Sequence, residues 1–131
     1  MTAFDPTTLA CTPQLALTLA EGLLHSAAAG DDGSCAVWAS YAALPLAGLL
    51  YAAARDNLGI GWVLAAAMNT DRDMGAHEPG WISAARRVAG APVLATALTR
   101  VVNLNARQRD SVTTTVAEAL APWRPAQGGW R

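Results

Sequence analysis

The feature that most constrains the fold is a stretch of twenty residues without charge, Cys35–Ala54. Such a stretch is long enough to cross a bilayer as a helix, or it forms a buried helix of a globular protein. It contains eight alanines together with Ser40, Pro45 and Gly48, and no cluster of basic residues flanks it. These properties favour a buried core helix, in which Pro45 is expected to introduce a kink or a split.

The overall composition favours closely packed helices. The 131-residue chain is 53% hydrophobic but only 6% aromatic, and alanine is its commonest residue. Alanine is the best helix former, and strand-like alternation of apolar and polar residues is absent. A chain of this length corresponds to one domain. We therefore predict an all-α fold, a single domain over residues 1–131 that forms a compact bundle of about six short helices.

Capping residues define the first two helices. Thr12 is a good N-cap with Pro13 at the first helical position, and this helix is expected to run to about Ala29. Ser34 caps the long apolar helix, which the turn residues 57–59 close. Spacing of four residues places Leu15, Leu19 and Leu23 on one face of the first helix as its predicted apolar stripe, with Leu24 beside it.

The second half of the chain is predicted to contain four shorter helices. They are expected at 61–68, 81–89, 92–102 and 106–123, and a polar loop over 69–80 separates the first of them from the others. In the last two, spacings of three and four residues give each helix one apolar face. The predicted buried residues are Leu94, Leu98 and Val101, and then Val112, Val116, Leu120 and Trp123.

Residue types that support catalysis do not occur in the patterns that catalytic sites need. The chain has no lysine, so neither a Schiff-base lysine nor the lysine of a phosphate-binding loop is available. His77-Glu78 lacks the second histidine of a zinc-protease helix, and Asp31-Asp32 is explained by a turn beside a helix cap. We therefore predict that this domain is not an enzyme and uses no cofactor.

Candidate metal ligands are also sparse. Asp71 and Asp73 have a spacing found in metal-binding loops, but a polar loop explains them more simply. Cys11 and Cys35 are too few and too far apart for a zinc site, and we expect both to be buried, reduced thiols. No metal site is predicted.

Charge is unevenly distributed along the chain. The net charge is −1, but residues 1–70 carry −4 and residues 71–131 carry +3. All nine basic residues are arginine, and five of them lie between Trp81 and Arg109, where there is no acidic residue. Arginine forms bidentate pairs with carboxylates and phosphates. The predicted partner-binding face, suited to acidic protein or a polyanion, consists of Arg86, Arg87, Arg100, Arg107 and Arg109.

Two simpler explanations of these arginines stay open from the sequence alone. Solvated helix faces often differ in the sign of their charge without any functional consequence. In addition, Arg107 and Arg109 are close enough in sequence to Asp110 and Glu118 to form exposed ion pairs within or beside their own helix.

Several segments show a common resemblance. Arg107–Leu120 begins arginine-x-arginine-aspartate-serine-valine and continues as an alanine-rich helix that ends near a tryptophan. Trp38–Ala54 has the pattern of a long apolar helix, and the segment Gly61–Val63 that follows it contains a tryptophan. Near the start of the chain, Phe4–Pro6 reads phenylalanine-aspartate-proline. These segments resemble TraG/VirD-type coupling ATPases of type IV secretion and conjugation systems, in particular their actinobacterial members. In that family the phenylalanine-aspartate-proline segment ends a strand of the motor.

The resemblance implies a role for the chain. It corresponds to the all-alpha domain inserted in the motor, which recognises cargo and is not catalytic by itself. The implied partners are a relaxase, a relaxosome accessory protein or an effector, the DNA itself, and the motor domain of the same parent chain. Residues 1–11 and 124–131 would be boundary segments leading to that motor. The domain would be cytoplasmic without membrane contact, while the parent protein is anchored at the inner face of the cell membrane.

The alternative from a different class is a free-standing helical DNA-binding protein. The turn at Gly90–Pro92 joins two predicted short helices, as in a helix-turn-helix motif. A net charge of −1 attracts a polyanion weakly, and no aromatic residues are interleaved with the arginines for stacking on single strands. Protein cargo is therefore favoured over DNA as the direct ligand.

Overall fold

The computed structural model describes residues 5–28, 34–70 and 79–123, and the side chains of all of these except 27, 28 and 34–40. Within these ranges every regular element is a helix. The six α-helices are α1 Pro13–Ala28, α2 Ser34–Arg55, α3 Gly59–Ala67, α4 Trp81–Arg87, α5 Pro92–Val102 and α6 Ala106–Ala119. Two 3-10 helices, Pro6–Leu9 and Ala121–Trp123, precede α1 and follow α6. The predicted all-α bundle of about six helices is confirmed.

The long uncharged segment forms α2, the central helix of the bundle. Helix α2 contacts each of the other five α-helices, and most of its residues between 42 and 53 are buried. The helix continues through Pro45, so of the two expected alternatives, a kink or a split, the split does not occur. A proline inside a helix removes one backbone hydrogen bond, but packing on several sides supplies more stabilisation than that bond. No helix within the described ranges combines the length and the apolar character that a bilayer span requires.

Helix α1 packs against α2 mainly through small side chains. Its buried residues are Ala16, Ala20 and Leu24. The predicted stripe, one position earlier in the sequence, is wrong, because Leu15 is exposed and Leu19 and Leu23 are only half-buried. Alanines at the centre of a contact let two helix backbones approach closely, and the leucines then pack around the edge of that contact.

The end of α2 has the geometry expected from its turn residues. Asn57 lies in the left-handed region with φ of 61°, and the amide of Leu58 donates to the carbonyl of Ala53 over 2.8 Å. This is the hydrogen-bond pattern of a Schellman motif, in which asparagine replaces the usual glycine. The predicted closure of the helix at residues 57–59 is therefore confirmed.

The last two α-helices also follow the sequence pattern. Helix α5 has the predicted bounds, and its predicted buried residues are all buried. Asn105 caps α6, where its side-chain oxygen accepts from the amide of Gln108 over 2.9 Å. Val112, Val116 and Leu120 are buried as predicted, whereas Trp123 is half-buried. Trp123 belongs to the second 3-10 helix rather than to α6, because α6 ends at Ala119.

Trp81 connects α3 to α4. Its side chain is fully buried, and the indole nitrogen donates to the carbonyl oxygen of Ala67 over 3.2 Å. The backbone amide of Trp81 also donates to the carbonyl of Asn69 over 3.1 Å. One main-chain and one side-chain hydrogen bond of Trp81 therefore hold the start of α4 against the end of α3.

The first 3-10 helix is tied to α3 by Asp5. One carboxylate oxygen accepts from the amide and the hydroxyl of Thr7, over 3.0 and 2.6 Å, and the other accepts from the amide of Ile60 over 3.2 Å. Partial burial alone raises the pKa of Asp5, but the hydrogen bonds from Thr7 and Ile60 outweigh it and lower the pKa below its ordinary value of 3.8. Pro6 and Ala10 are buried, so this part of the predicted boundary segment 1–11 belongs to the helical core.

Some sequence expectations concern residues outside the described ranges. These are Asp31-Asp32, Asp71, Asp73, His77-Glu78, the side chain of Cys35 and the boundary segment 124–131. For Cys11 the expectation of a buried thiol is wrong, because this residue is exposed. Cys11 lies in the link between the first 3-10 helix and α1, so it belongs to the apolar face of neither helix.

Candidate partner-binding site

The five predicted arginines have three different environments. The side chains of Arg87 and Arg109 contact groups within the fold. Arg86 and Arg100 line one open groove, and Arg107 is exposed near the start of α6. The sequence identified a single cluster, whereas the structure brings two of its members together at a surface that a partner can reach.

Arg87 connects three helices. Its guanidinium lies 2.7 Å from the carboxylate of Asp56, just after α2, and 5.6 Å from the centre of the Trp62 ring on α3. The main-chain carbonyl of Arg87 in turn accepts a hydrogen bond from the side chain of Arg55. These contacts hold the end of α4 against α2 and α3, so the side chain of Arg87 has a structural role.

Arg109 contacts the end of α5. Its guanidinium donates to the carbonyl oxygens of Val102 and Leu104, over 3.4 and 3.2 Å. The last carbonyls of a helix have no partner within the helix, and a cation near them is favourable because of the helix dipole. The side chain of Arg109 therefore caps α5 through backbone carbonyls, which differs from the alternative of an ion pair with Asp110 or Glu118.

The groove that contains Arg86 and Arg100 runs between α4 and α5. Its volume is about 740 Å³, and it is open to solvent. Helix α4 and the residues after it supply Ile82, Ala85, Arg86 and Ala89, and α5 with its C-cap supplies Ala95, Thr96, Thr99, Arg100 and Asn103. Two guanidinium groups therefore border a groove whose exposed surface is mostly apolar, and none of the described residues that line it is acidic.

The sequence explains why a groove exists here. Ala85, Ala89 and Ala95 stand where the two helices face each other, and their small side chains leave space between the helices. Arg86 and Arg100 are exposed, so their charges stay hydrated until a ligand arrives. Guanidinium groups in such a setting bind carboxylate or phosphate oxygens in a bidentate manner.

A second, smaller cavity lies between α2, α5 and α6. Its volume is about 350 Å³, and it is less open than the first groove. Most of its lining is apolar: Leu44, Pro45, Ala97, Val101, Leu104 and Val112. Tyr41, Gln108 and Arg100 supply the polar groups, and Arg100 thus borders both cavities. The sequence analysis missed this cavity, although Tyr41 and Pro45 within an otherwise apolar core helix are the residues that could have indicated it.

Side chains that could bind a metal ion are dispersed. Across 5–28, 34–70 and 79–123, no three histidine, cysteine, aspartate or glutamate residues lie together in an arrangement that could hold a metal ion. His25 is exposed in the last turn of α1, where a cation suits the helix dipole.

Comparison with known proteins identified no relative of this chain. No protein-family model, no curated protein and no solved structure matches the chain. The resemblance to coupling ATPases therefore stays a prediction from the sequence, and the functional argument depends on the geometry of the two cavities.

Proposed function

We propose that this chain is a helical docking domain that binds an acidic segment of a partner protein in the groove between α4 and α5. The observation that carries the proposal is the pair Arg86 and Arg100, which line one open groove whose described lining has no acidic residue. The guanidinium groups would pair with carboxylates of the partner, and the mostly apolar surface of the groove would contact the rest of the segment.

The sequence resemblance gives this proposal a more specific form. In that form the chain is the non-catalytic cargo-recognition domain of a type IV secretion coupling protein, at the cytoplasmic face of the cell membrane. The partner is then a relaxase, a relaxosome accessory protein or an effector, and the power for transport comes from the motor of the parent chain. The acidic-segment proposal does not depend on this specific form.

The binding proposal is tested by reversing the charge of the groove. The probe is a fluorescein-labelled peptide of alternating glutamate and serine, and its affinity is measured by fluorescence anisotropy at low salt. Because each charged hydrogen bond contributes roughly 1.5–3 kcal/mol, Arg86→Glu and Arg100→Glu should each lower the affinity about tenfold or more. Arg107→Glu is the matched control, since it makes the same change of charge at an exposed residue outside both cavities.

The control separates a specific groove from general electrostatic attraction. Circular dichroism should show the same helicity for all three variants, because each arginine is exposed. Equal losses for the groove variants and Arg107→Glu would contradict the proposal, as would a wild-type protein that does not bind the peptide.

A second candidate function is DNA binding. Helices α4 and α5 are joined by the short link 88–91, which includes Gly90 and resembles the turn of a helix-turn-helix motif. In such motifs the first residues of the second helix contact the bases. Here the exposed residues at that position are Pro92, Val93 and Thr96, which offer no positive charge and one hydroxyl. This composition favours the protein-binding candidate.

Salt dependence distinguishes the two candidates. Affinity for random duplex DNA that is measurable at low salt and falls steeply as salt increases would support the DNA-binding function. No binding at low salt leaves the docking function in place. The secretion assignment has its own test in the gene, since a nucleotide-binding loop encoded upstream of Phe4 and an acidic strand downstream of Arg131 are expected there. An unrelated context would contradict that assignment alone.

A further inference from the structure

We propose that the cavity between α2, α5 and α6 binds one large apolar side chain of the same acidic segment that contacts Arg86 and Arg100. The inference depends on the proposed function, because it specifies the chemistry of the segment that this function requires. It assigns to the partner a pattern of carboxylates beside an apolar residue, rather than acidic residues alone.

The chemistry of the cavity determines what kind of group it accepts. Its walls come from three helices and consist mainly of aliphatic side chains, among them Leu44, Val101 and Leu104. At about 350 Å³ it is at the small end of the range for ligand pockets. A single side chain that displaces water from these aliphatic walls gains the hydrophobic contribution of both surfaces.

The position of Arg100 determines what must accompany the apolar group. This residue borders the cavity on one side and the α4–α5 groove on the other. A purely apolar occupant would cover part of the guanidinium and leave its charge without a partner, which is unfavourable. An occupant with a carboxylate next to its apolar side chain pairs with that charge while it fills the cavity.

The rim of the cavity carries an exposed aromatic residue. The side chain of Tyr41 is 64% exposed, although it extends from the central helix α2. Tyrosine and arginine are enriched among the residues that contribute most to protein interfaces. Tyr41 and Arg100 both line this mainly apolar cavity. They are the two residue types expected around a partner side chain that anchors an interface.

The test compares three synthetic peptides that differ either at the central residue or in the charge of the residues beside it. The first has glutamates on both sides of a central phenylalanine, the second has alanine in place of phenylalanine, and the third keeps phenylalanine but replaces the glutamates by glutamines. Burial of the phenylalanine should make the first peptide bind at least tenfold more tightly than the second. The third should bind more weakly than the first, because it leaves both guanidinium groups without a carboxylate.

A variant that fills the cavity locates the binding of the phenylalanine. Ala97 lines the cavity, so Ala97→Leu should remove the advantage of the phenylalanine peptide while the alanine peptide binds as before. Ala65→Leu is the matched control, because Ala65 is exposed on α3 and lines neither cavity. Circular dichroism and a thermal transition of each variant establish that it is folded before binding is measured.

The outcomes separate this inference from the proposed function. Equal affinity for the phenylalanine and alanine peptides overturns the inference and leaves the docking of acidic segments intact. An advantage of phenylalanine that persists in Ala97→Leu also overturns it, because the aromatic ring then binds elsewhere. If neither glutamate peptide binds, the proposed function fails and the inference fails with it.

Discussion

At the residue scale, two adjacent arginines on α4 have opposite surroundings. Arg87 is half-buried between Asp56 and Trp62, while Arg86 is exposed in the groove. Residues next to each other on a helix point about 100° apart, so the sequence could place both on one helix but could not tell which of them lines the groove.

This difference predicts that the same substitution affects stability much more at Arg87 than at Arg86. Arg87→Ala should lower the free energy of unfolding by about 1–2 kcal/mol, because it removes a partly exposed ion pair, a cation–π contact and the packing of the side-chain stem. Arg86→Ala should change it by no more than about 0.5 kcal/mol. Urea denaturation measures both, and equal effects on stability would show that the distinction between the two residues is wrong.

Asp5 predicts a pH-dependent contribution to stability. Its pKa is lower in the folded protein than the ordinary value of 3.8, so its stabilising effect is complete above that value and is lost as the pH falls through the folded pKa. Asp5→Asn should therefore lower the free energy of unfolding by about 1 kcal/mol at neutral pH, because an amide has only one acceptor oxygen and cannot keep the hydrogen bonds of both Thr7 and Ile60. The difference from wild type should shrink below about pH 4, because protonation then removes the carboxylate of the wild-type protein as well.

A surface carboxylate provides the comparison for Asp5. Asp110 is exposed on α6, and Asp110→Asn should change stability by no more than about 0.5 kcal/mol. The measurement is urea denaturation across the acidic pH range. A difference between wild type and Asp5→Asn that stays constant down to the lowest pH would contradict the assigned hydrogen bonds.

At the scale of the elements, α2 and α5 approach each other closely at Gly48. A Cβ atom at Gly48 would lie 2.8 Å from a terminal carbon of Leu98, which is fully buried and has little room to move. Gly48→Ala should therefore lower the free energy of unfolding by about 1–3 kcal/mol, as expected for overpacking.

The same substitution in α1 should have the opposite sign. Apart from its chain neighbours and the backbone of its own helix, no described atom lies within 4 Å of the position where Gly22 would carry a Cβ, and this glycine is inside a helix. Gly22→Ala should raise the free energy of unfolding by roughly 0.5–1 kcal/mol, because alanine loses less backbone entropy than glycine. Thermal and chemical denaturation measure both variants. A stabilising Gly48→Ala would mean that α2 and α5 are farther apart than described.

The helices also show which features of the fold local sequence patterns can predict. Helix α5 was predicted at its observed bounds because Pro92 and the asparagines at 103 and 105 are strong local signals. In α1 leucines and alanines both recur every four residues, so local periodicity allowed either face to be buried. The surface of α2 decides between them, and that surface is formed by residues distant in sequence. The α4–α5 groove and the apolar cavity depend on such long-range packing for the same reason.

At the scale of the whole molecule, the arrangement around α2 predicts cooperative unfolding. Because α2 contacts all five other α-helices, removing any one of them exposes apolar surface of the central helix. Urea transitions followed by circular dichroism and by tryptophan fluorescence should therefore coincide, as they do for a single domain that unfolds in two states. Separate midpoints would show that part of the bundle unfolds independently, contrary to the single domain predicted from the sequence.

The burial of α2 also has a consequence for hydrogen–deuterium exchange. Backbone amides between residues 46 and 53 are buried by the surrounding helices, so they exchange with deuterium only when the whole bundle unfolds. Amides of the exposed faces of α5 and α6 can exchange through smaller local openings. Labelling time courses should therefore show slow exchange for the amides of α2 between residues 46 and 53 and faster exchange for those on the exposed faces of α5 and α6. A peptide bound to α5 should slow exchange on these exposed faces before it affects α2.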